Sequence, residues 1–212
     1  MKRVSIKIVA LLLVGLFLLT GCKEKESEKQ IENQNVEKVN YQKAIVIYFS
    51  RAGENYSVGR VDVGNTAMMA SYIIDYLKCD SFEILPKEPY SDSYDEAKKR
   101  ANKELNNNAR PEMANEITNL DEYDTVFLGY PIWCGNLPMI MNTFMEKYDL
   151  SNKTIIPFNT HEGSGNAGTY KTIKNKLTSS NVIEKGLYLS GKVARSEDGK
   201  KQTIEWLKSL GY

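Results

Sequence analysis

Four short apolar runs, at residues 44–49, 125–130, 154–158 and 186–189, are separated by segments of helical periodicity. A strand buried on both faces reads as a continuous apolar run, so this alternation predicts a parallel sheet covered by helices on either side. A weaker run at 81–85 follows the first helical pattern and supplies a fifth strand. The helical patterns are carried by Met69, Ala70, Ile73, Ile74 and Leu77, and by Ile140, Met141, Phe144 and Met145 after Pro138 at the first helical position. Ile204, Leu207 and Leu210, stopped by Gly211, give a closing helix. The polar stretch 86–122 holds one more helical candidate at 93–105, whose charges from 95 to 104 read as a solvated face. Pro157 has no ladder donor and is therefore placed near the end of its strand. These readings give a five-stranded doubly wound α/β domain over 43–212, with a ligand expected beyond the carboxyl ends of the strands at the switch point.

The first 42 residues follow a different pattern. Lys2, Arg3 and Lys7 precede an apolar stretch at 8–19 that ends in Leu19, Thr20, Gly21 and Cys22. This resembles a bacterial lipoprotein signal peptide at 1–21, with Cys22 as the acylated first residue of the mature chain. The competing reading is an uncleaved anchor, although the run falls short of the ~20 residues a spanning helix needs. Either way the domain is expected outside the cytoplasm, lipid-anchored to the cell membrane in the first reading. Two acyl chains are the number that stable anchoring requires. Residues 22–42 are rich in Lys, Glu, Asn and Gln and read as a flexible tether, with a reach on the order of 25 Å.

Charge and cysteine usage exclude several classes. The chain has 28 basic and 27 acidic side chains, and loss of Lys2, Arg3 and Lys7 leaves it slightly acidic, so no nucleic acid partner is expected. Beyond Cys22 only Cys79 and Cys134 remain, too few for a disulfide scaffold, and His161 is the single histidine. No metal site is expected.

Three loops carry candidate chemistry. After the first strand come Ser50, Arg51, Ala52, Gly53 and Asn55, and Gly64, Asn65 and Thr66 then open a helix. Hydroxyls, a glycine and free amide donors at a helix start suit a phosphate dianion. A serine turn with an asparagine cap would read the same. After the third strand stand Pro131, Ile132, Trp133, Cys134, Gly135 and Asn136, in which Trp133 offers either a flat face to an aromatic ring or a core side chain. After the fourth come Thr160, His161, Glu162, Gly163, Ser164 and Gly165, a loop able to bring backbone donors to a polar ring edge, or a plain surface loop.

Jointly these loops resemble the flavodoxin family, and more closely a flavodoxin-like branch with the strings YFSRAGENY (48–56), GNT (64–66), GYPIW (129–133) and THEGSG (160–165). The resemblance covers about 44–210. It implies a three-layer sandwich with a sheet of order 2-1-3-4-5, and FMN with its phosphate on Ser50, Arg51, Asn55, Asn65 and Thr66, Ala52 and Gly53 lying in the same turn. The isoalloxazine contacts it implies run from Pro131 to Asn136 and from Thr160 to Gly165. Two departures stand out: an insertion at 57–63 splits the phosphate loop, and the later loop has no aromatic ring except His161. The latter leaves one flavin face open to a substrate or partner.

Gly163, Gly165 and Gly168 also match the G-x-G-x-x-G fingerprint, with Glu184 beyond them, but polar residues separate the strand from the first glycine. A hydrolase on Ser164 lacks the glycine that a nucleophile elbow needs two residues earlier. The implied function is one-electron transfer by FMN, with a redox partner protein or a small-molecule acceptor near the membrane. The alternatives are an FMN oxidoreductase of NAD(P)H:quinone type, with His161 or Tyr130 as proton donor, and a flavin-free binding lipoprotein.

Overall fold

The computed structural model describes residues 43–212. The segments expected as signal peptide (1–21) and as lipidated Cys22 with its tether (22–42) lie outside the described residues.

The apolar runs become strands β1 (Ala44–Tyr48), β5 (Thr125–Pro131), β6 (Thr154–His161) and β8 (Leu187–Ser190), and the weak run becomes β4 (Asp80–Glu83). Short strands β2 (Gly53–Asn55), β3 (Gly59–Val61) and β7 (Asn181–Val182) complete the set. The helices are α1 (Asn65–Leu77), α2 (Tyr94–Asn106), α3 (Met139–Lys147), α4 (Thr169–Lys176), α5 (Gly191–Ala194) and α6 (Glu197–Ser209).

The main sheet runs β4-β1-β5-β6, all parallel, and its last position is filled in succession by β7 and β8, each pairing with a different end of β6. This is the 2-1-3-4-5 order with its edge strand broken in two. Side chains alternate between two cores because successive residues of a strand face opposite ways. Ile45, Ile47, Val126, Leu128 and Ile155 pack beneath α2, α3 and α4, through Ala97, Phe144 and Ile173 among others. Val46, Phe127, Ile156 and Phe158 pack beneath α1, α5 and α6, against Ile73, Ala194 and Leu207.

Pro157 corrects an expectation. It sits in the interior of β6, opposite Leu128 of β5, and not near the strand's end. The carbonyl of Ile155 accepts from the Ile183 N–H on the edge side (2.9 Å), and by the two-residue alternation Pro157 turns its backbone to that side as well. The break between β7 and β8 falls opposite this position, so the missing donor costs no ladder bond. Gly186 lets the chain rejoin there, since a Cβ on it would lie 2.2 Å from the Pro157 carbonyl oxygen.

Pro138 caps α3 from just outside it, one residue earlier than expected. The insertion at 57–63 belongs to an antiparallel hairpin of β2 and β3, which the sequence reading did not foresee. Gly59 at its turn has φ +73. Among the described residues no helix is long and apolar enough to cross a membrane.

Candidate functional site

The chain passes from β1 to one neighbour, β4, and then crosses to the other, β5, so the order reverses beside β1. Loops leaving the carboxyl ends of adjacent strands diverge at such a point and leave a crevice. A cleft of about 480 Å³ lies there, lined by Ser50, Arg51, Asn55, Asn65, Thr66, Pro131, Ile132, Trp133, Cys134, Thr160, His161 and Glu162. Hydrogen bonds lock the three loops together. Thr66 Oγ1 and Thr160 Oγ1 are 2.8 Å apart and buried. The Ile132 N–H donates to the Thr160 carbonyl (2.8 Å).

At the first loop, the N–H of Ala67 donates to Ser50 Oγ across the start of α1 (3.1 Å). The N–H groups of Asn65 and Thr66 belong to the same first turn, where a helix has no internal acceptors for them. The first turn of α1 carries no acid, and Asn65 Oδ1 is tied to Arg195 Nη1 (3.4 Å). Arg51 lines the cleft, but its guanidinium donates to the carbonyls of Ser91 (2.8 Å) and Glu54, so it clamps the hairpin to the loop before α2. Burial pushes its pKa down. Asn55 Nδ2 donates to the Gly53 carbonyl (3.0 Å).

At the second loop, Trp133 and Asn136 exchange both backbone hydrogen bonds (3.0 and 2.9 Å). Cys134 and Gly135 between them have φ +51 and +73, the signature of a type I′ turn. Trp133 is pinned by edge contacts at 4.8 Å to Tyr90 and 5.2 Å to Phe49, and part of it lines the cleft. Burial pushes the Cys134 thiol up, and the charge of Lys98 opposes this.

At the third loop, His161 Nδ1 accepts from the Gly163 N–H (3.0 Å). That fixes the neutral tautomer with Nε2 as donor, and burial pushes the imidazole pKa down against the pull of Glu162. Glu162 Oε1 accepts from the Gly191 N–H (3.2 Å).

Other residues named from the sequence do not line the cleft: Ala52, Gly53, Gly135, Asn136, Gly163, Ser164 and Gly165. Gly53 is pressed against Asp92, whose carbonyl would lie 2.8 Å from a Cβ. Asn136 Oδ1 accepts from the Leu137 N–H (2.8 Å), and the Gly165 carbonyl accepts from Asn159 (3.1 Å). Tyr130, considered as a proton donor, is fully buried with its hydroxyl 2.8 Å from Thr169 Oγ1, and burial pushes its pKa up. Glu184 pairs with Lys174.

The sequence reading missed one whole wall. Tyr56, on the hairpin tip, and Tyr94, Ala97, Lys98 and Ala101, on α2, also line the cleft. The last four recur at i, i+3, i+4 and i+7, a single helix stripe. The signal was present but was obscured by the charges around it.

An α/β domain with a helix start open to an anion and an aromatic wall at the switch point defines a nucleotide-type cofactor binder. The sequence profile of the family described as Flavodoxin matches residues 43–209, and the chain belongs to that family. A crystal structure from Bacteroides eggerthii DSM 20697, provisionally named a flavoprotein, is similar with a TM-score of 0.64 and 28% identity, over 81% of this chain and 99% of that one. One from Bacteroides uniformis ATCC 8492, named in the same way, gives 0.62 and 29%, over 77% and 98%. A flavoprotein in complex with FMN from Lactobacillus acidophilus NCFM shares the fold, with a TM-score of 0.56 and 19% identity over 78% and 98%. No curated protein sequence matches the chain.

FMN is the cofactor of the flavodoxin family, and the cleft fits it. Gly64 lets the start of α1 lie directly against the turn after β1, where a Cβ would fall 2.2 Å from Ser50 Oγ and 2.6 Å from the Arg51 carbonyl oxygen, so the two halves of a phosphate site are held together. Trp133 offers an aromatic surface to a ring system.

Proposed function

We propose that residues 43–212 bind FMN in this cleft and work as an electron carrier at the outer face of the cytoplasmic membrane, held there by a lipid on Cys22. The observation that carries the reading is the locking of three strand-end loops around one cleft through Thr66, Thr160 and Ile132. FMN supplies the redox chemistry when bound; the protein supplies grip, orientation and field. Ser50 and the amides that open α1 hold the phosphate, favoured by the helix dipole. Trp133 orients the ring, with Cys134 of the same turn beside it. His161, whose Nδ1 accepts from Gly163, keeps Nε2–H as a donor that adds no charge.

Two measurements test this. Anaerobic reduction of the FMN-loaded protein is expected to proceed in two resolved one-electron steps; a single two-electron step refutes the carrier. The full chain is expected in the membrane fraction and to incorporate labelled fatty acid, a label that Cys22→Ser is expected to abolish; a wild-type chain that takes up no label refutes the lipid anchor.

A further inference from the structure

We propose that the α2 side of the cleft is a subsite for a second ligand, a planar aromatic molecule bearing an anionic oxygen. The proposal rests on the FMN reading above, which places the cofactor on the loops after β1, β5 and β6. None of those loops includes α2, which lies between β4 and β5.

The α2 stripe has the chemistry for such a ligand. Ala97 and Ala101 are buried yet line the cleft, so their methyl groups form a low, apolar floor with no long side chain to obstruct a flat ring. Tyr94 stands one turn earlier with its ring 5.8 Å from that of Tyr56. Tyr56 is 73% exposed on the hairpin tip. Two tyrosines therefore form an aromatic rim on this side of the cleft.

Lys98 supplies the charge. Its ammonium lies 5.7 Å from the centroid of the Tyr94 ring, and its field reaches Cys134 on the opposite loop. Arg100, Lys87 and Arg110 are each paired with a carboxylate. Lys98 lines the cleft and makes no ion pair among the described residues. An unpaired ammonium beside an apolar floor and a π-face favours an anionic substituent on an aromatic ring. Sulfonated or hydroxylated quinones have this chemistry, and so do aromatic carboxylates.

The test titrates anthraquinone-2-sulfonate into the oxidised, FMN-loaded protein, followed by calorimetry and by perturbation of the flavin absorption band. Wild type is expected to bind it, with an affinity that falls as salt rises. Lys98→Met and Tyr94→Leu are each expected to weaken the probe about 10-fold, and Lys98→Met is expected to flatten the salt dependence. FMN affinity in both variants is expected to stay within about twofold of wild type. If FMN affinity falls along with the probe, the stripe belongs to the cofactor site and the proposal is overturned. It is overturned as well if wild type ignores the probe or if the variants bind it unchanged. A wild-type protein that takes up no FMN defeats the underlying reading and this subsite together, an outcome visible before any quinone is added.

Discussion

Gly64→Ala is expected to weaken FMN binding by about 10- to 100-fold while leaving riboflavin binding nearly unchanged. Gly64 has ordinary extended geometry, φ −65 and ψ 154, so the glycine is not needed for its dihedrals. It is needed for space. A Cβ there would lie 2.2 Å from Ser50 Oγ and 2.6 Å from the Arg51 carbonyl oxygen. Ser50 can change rotamer, but the Arg51 carbonyl is backbone and must move with its turn. Separating that turn from the start of α1 breaks the Ala67 to Ser50 hydrogen bond and pulls apart the two halves of the proposed phosphate site. Overpacking of this kind costs ~1–3 kcal/mol, which corresponds to the loss stated. Riboflavin has no phosphate and serves as the internal control, with both affinities read from quenching of flavin fluorescence. Equal losses for both ligands would indicate general collapse of the site, and no loss for FMN would remove this close approach from the mechanism.

The parts legible in the sequence are those whose physics is local. β1, β5 and β6 are apolar along their length because both faces are covered, and three of the helices announce themselves by spacing. The loop residues that end those strands could be named, and 12 of them line the cleft. What escaped depends on tertiary partners. Pro157 is tolerated in mid-strand only because the neighbouring edge strand is interrupted there, which no single segment reveals. The β2–β3 hairpin has three-residue strands, too short to show an alternation. In α4 the buried side chains are Thr169, Tyr170 and Ile173, too few for a stripe to emerge from the lysines around them. The α2 wall was hidden for a related reason: its buried positions are alanines, which give a weak apolar signal, and the charges beside them read as a solvated face. Two of those charges, Arg100 and Glu104, are in fact tucked against the loop before α2, with side chains only 27% and 11% exposed.

That pair sets the second large effect. Glu104→Ala is expected to destabilise the domain by about 2 kcal/mol, seen as a fall in Tm of roughly 4–8 °C. One oxygen of Glu104 accepts from the Tyr90 hydroxyl and the other from Arg100 Nε, each at 2.7 Å. Arg100 in turn donates to the Glu88 and Pro89 carbonyls (2.8 and 3.1 Å) and lies 4.0 Å from the centroid of the Tyr90 ring. Removing the carboxylate leaves a phenol and a guanidinium without their acceptor in a half-buried place, the costly direction of such a change. Burial, the largest cause of the raised Tyr90 pKa, persists when Glu104 is removed, so the phenol stays protonated and without its acceptor. The damage should travel to the cleft, because Tyr90 holds Trp133 by its edge at 4.8 Å. A change in the near-ultraviolet circular dichroism of the FMN-free protein is therefore expected alongside the lower Tm. Glu112→Gln, which breaks the exposed pair with Lys87, should shift Tm by under about 2 °C and leave that spectrum alone. If both variants behave alike, Glu104 is only another surface charge, and the brace from α2 through Tyr90 to Trp133 does not exist in solution.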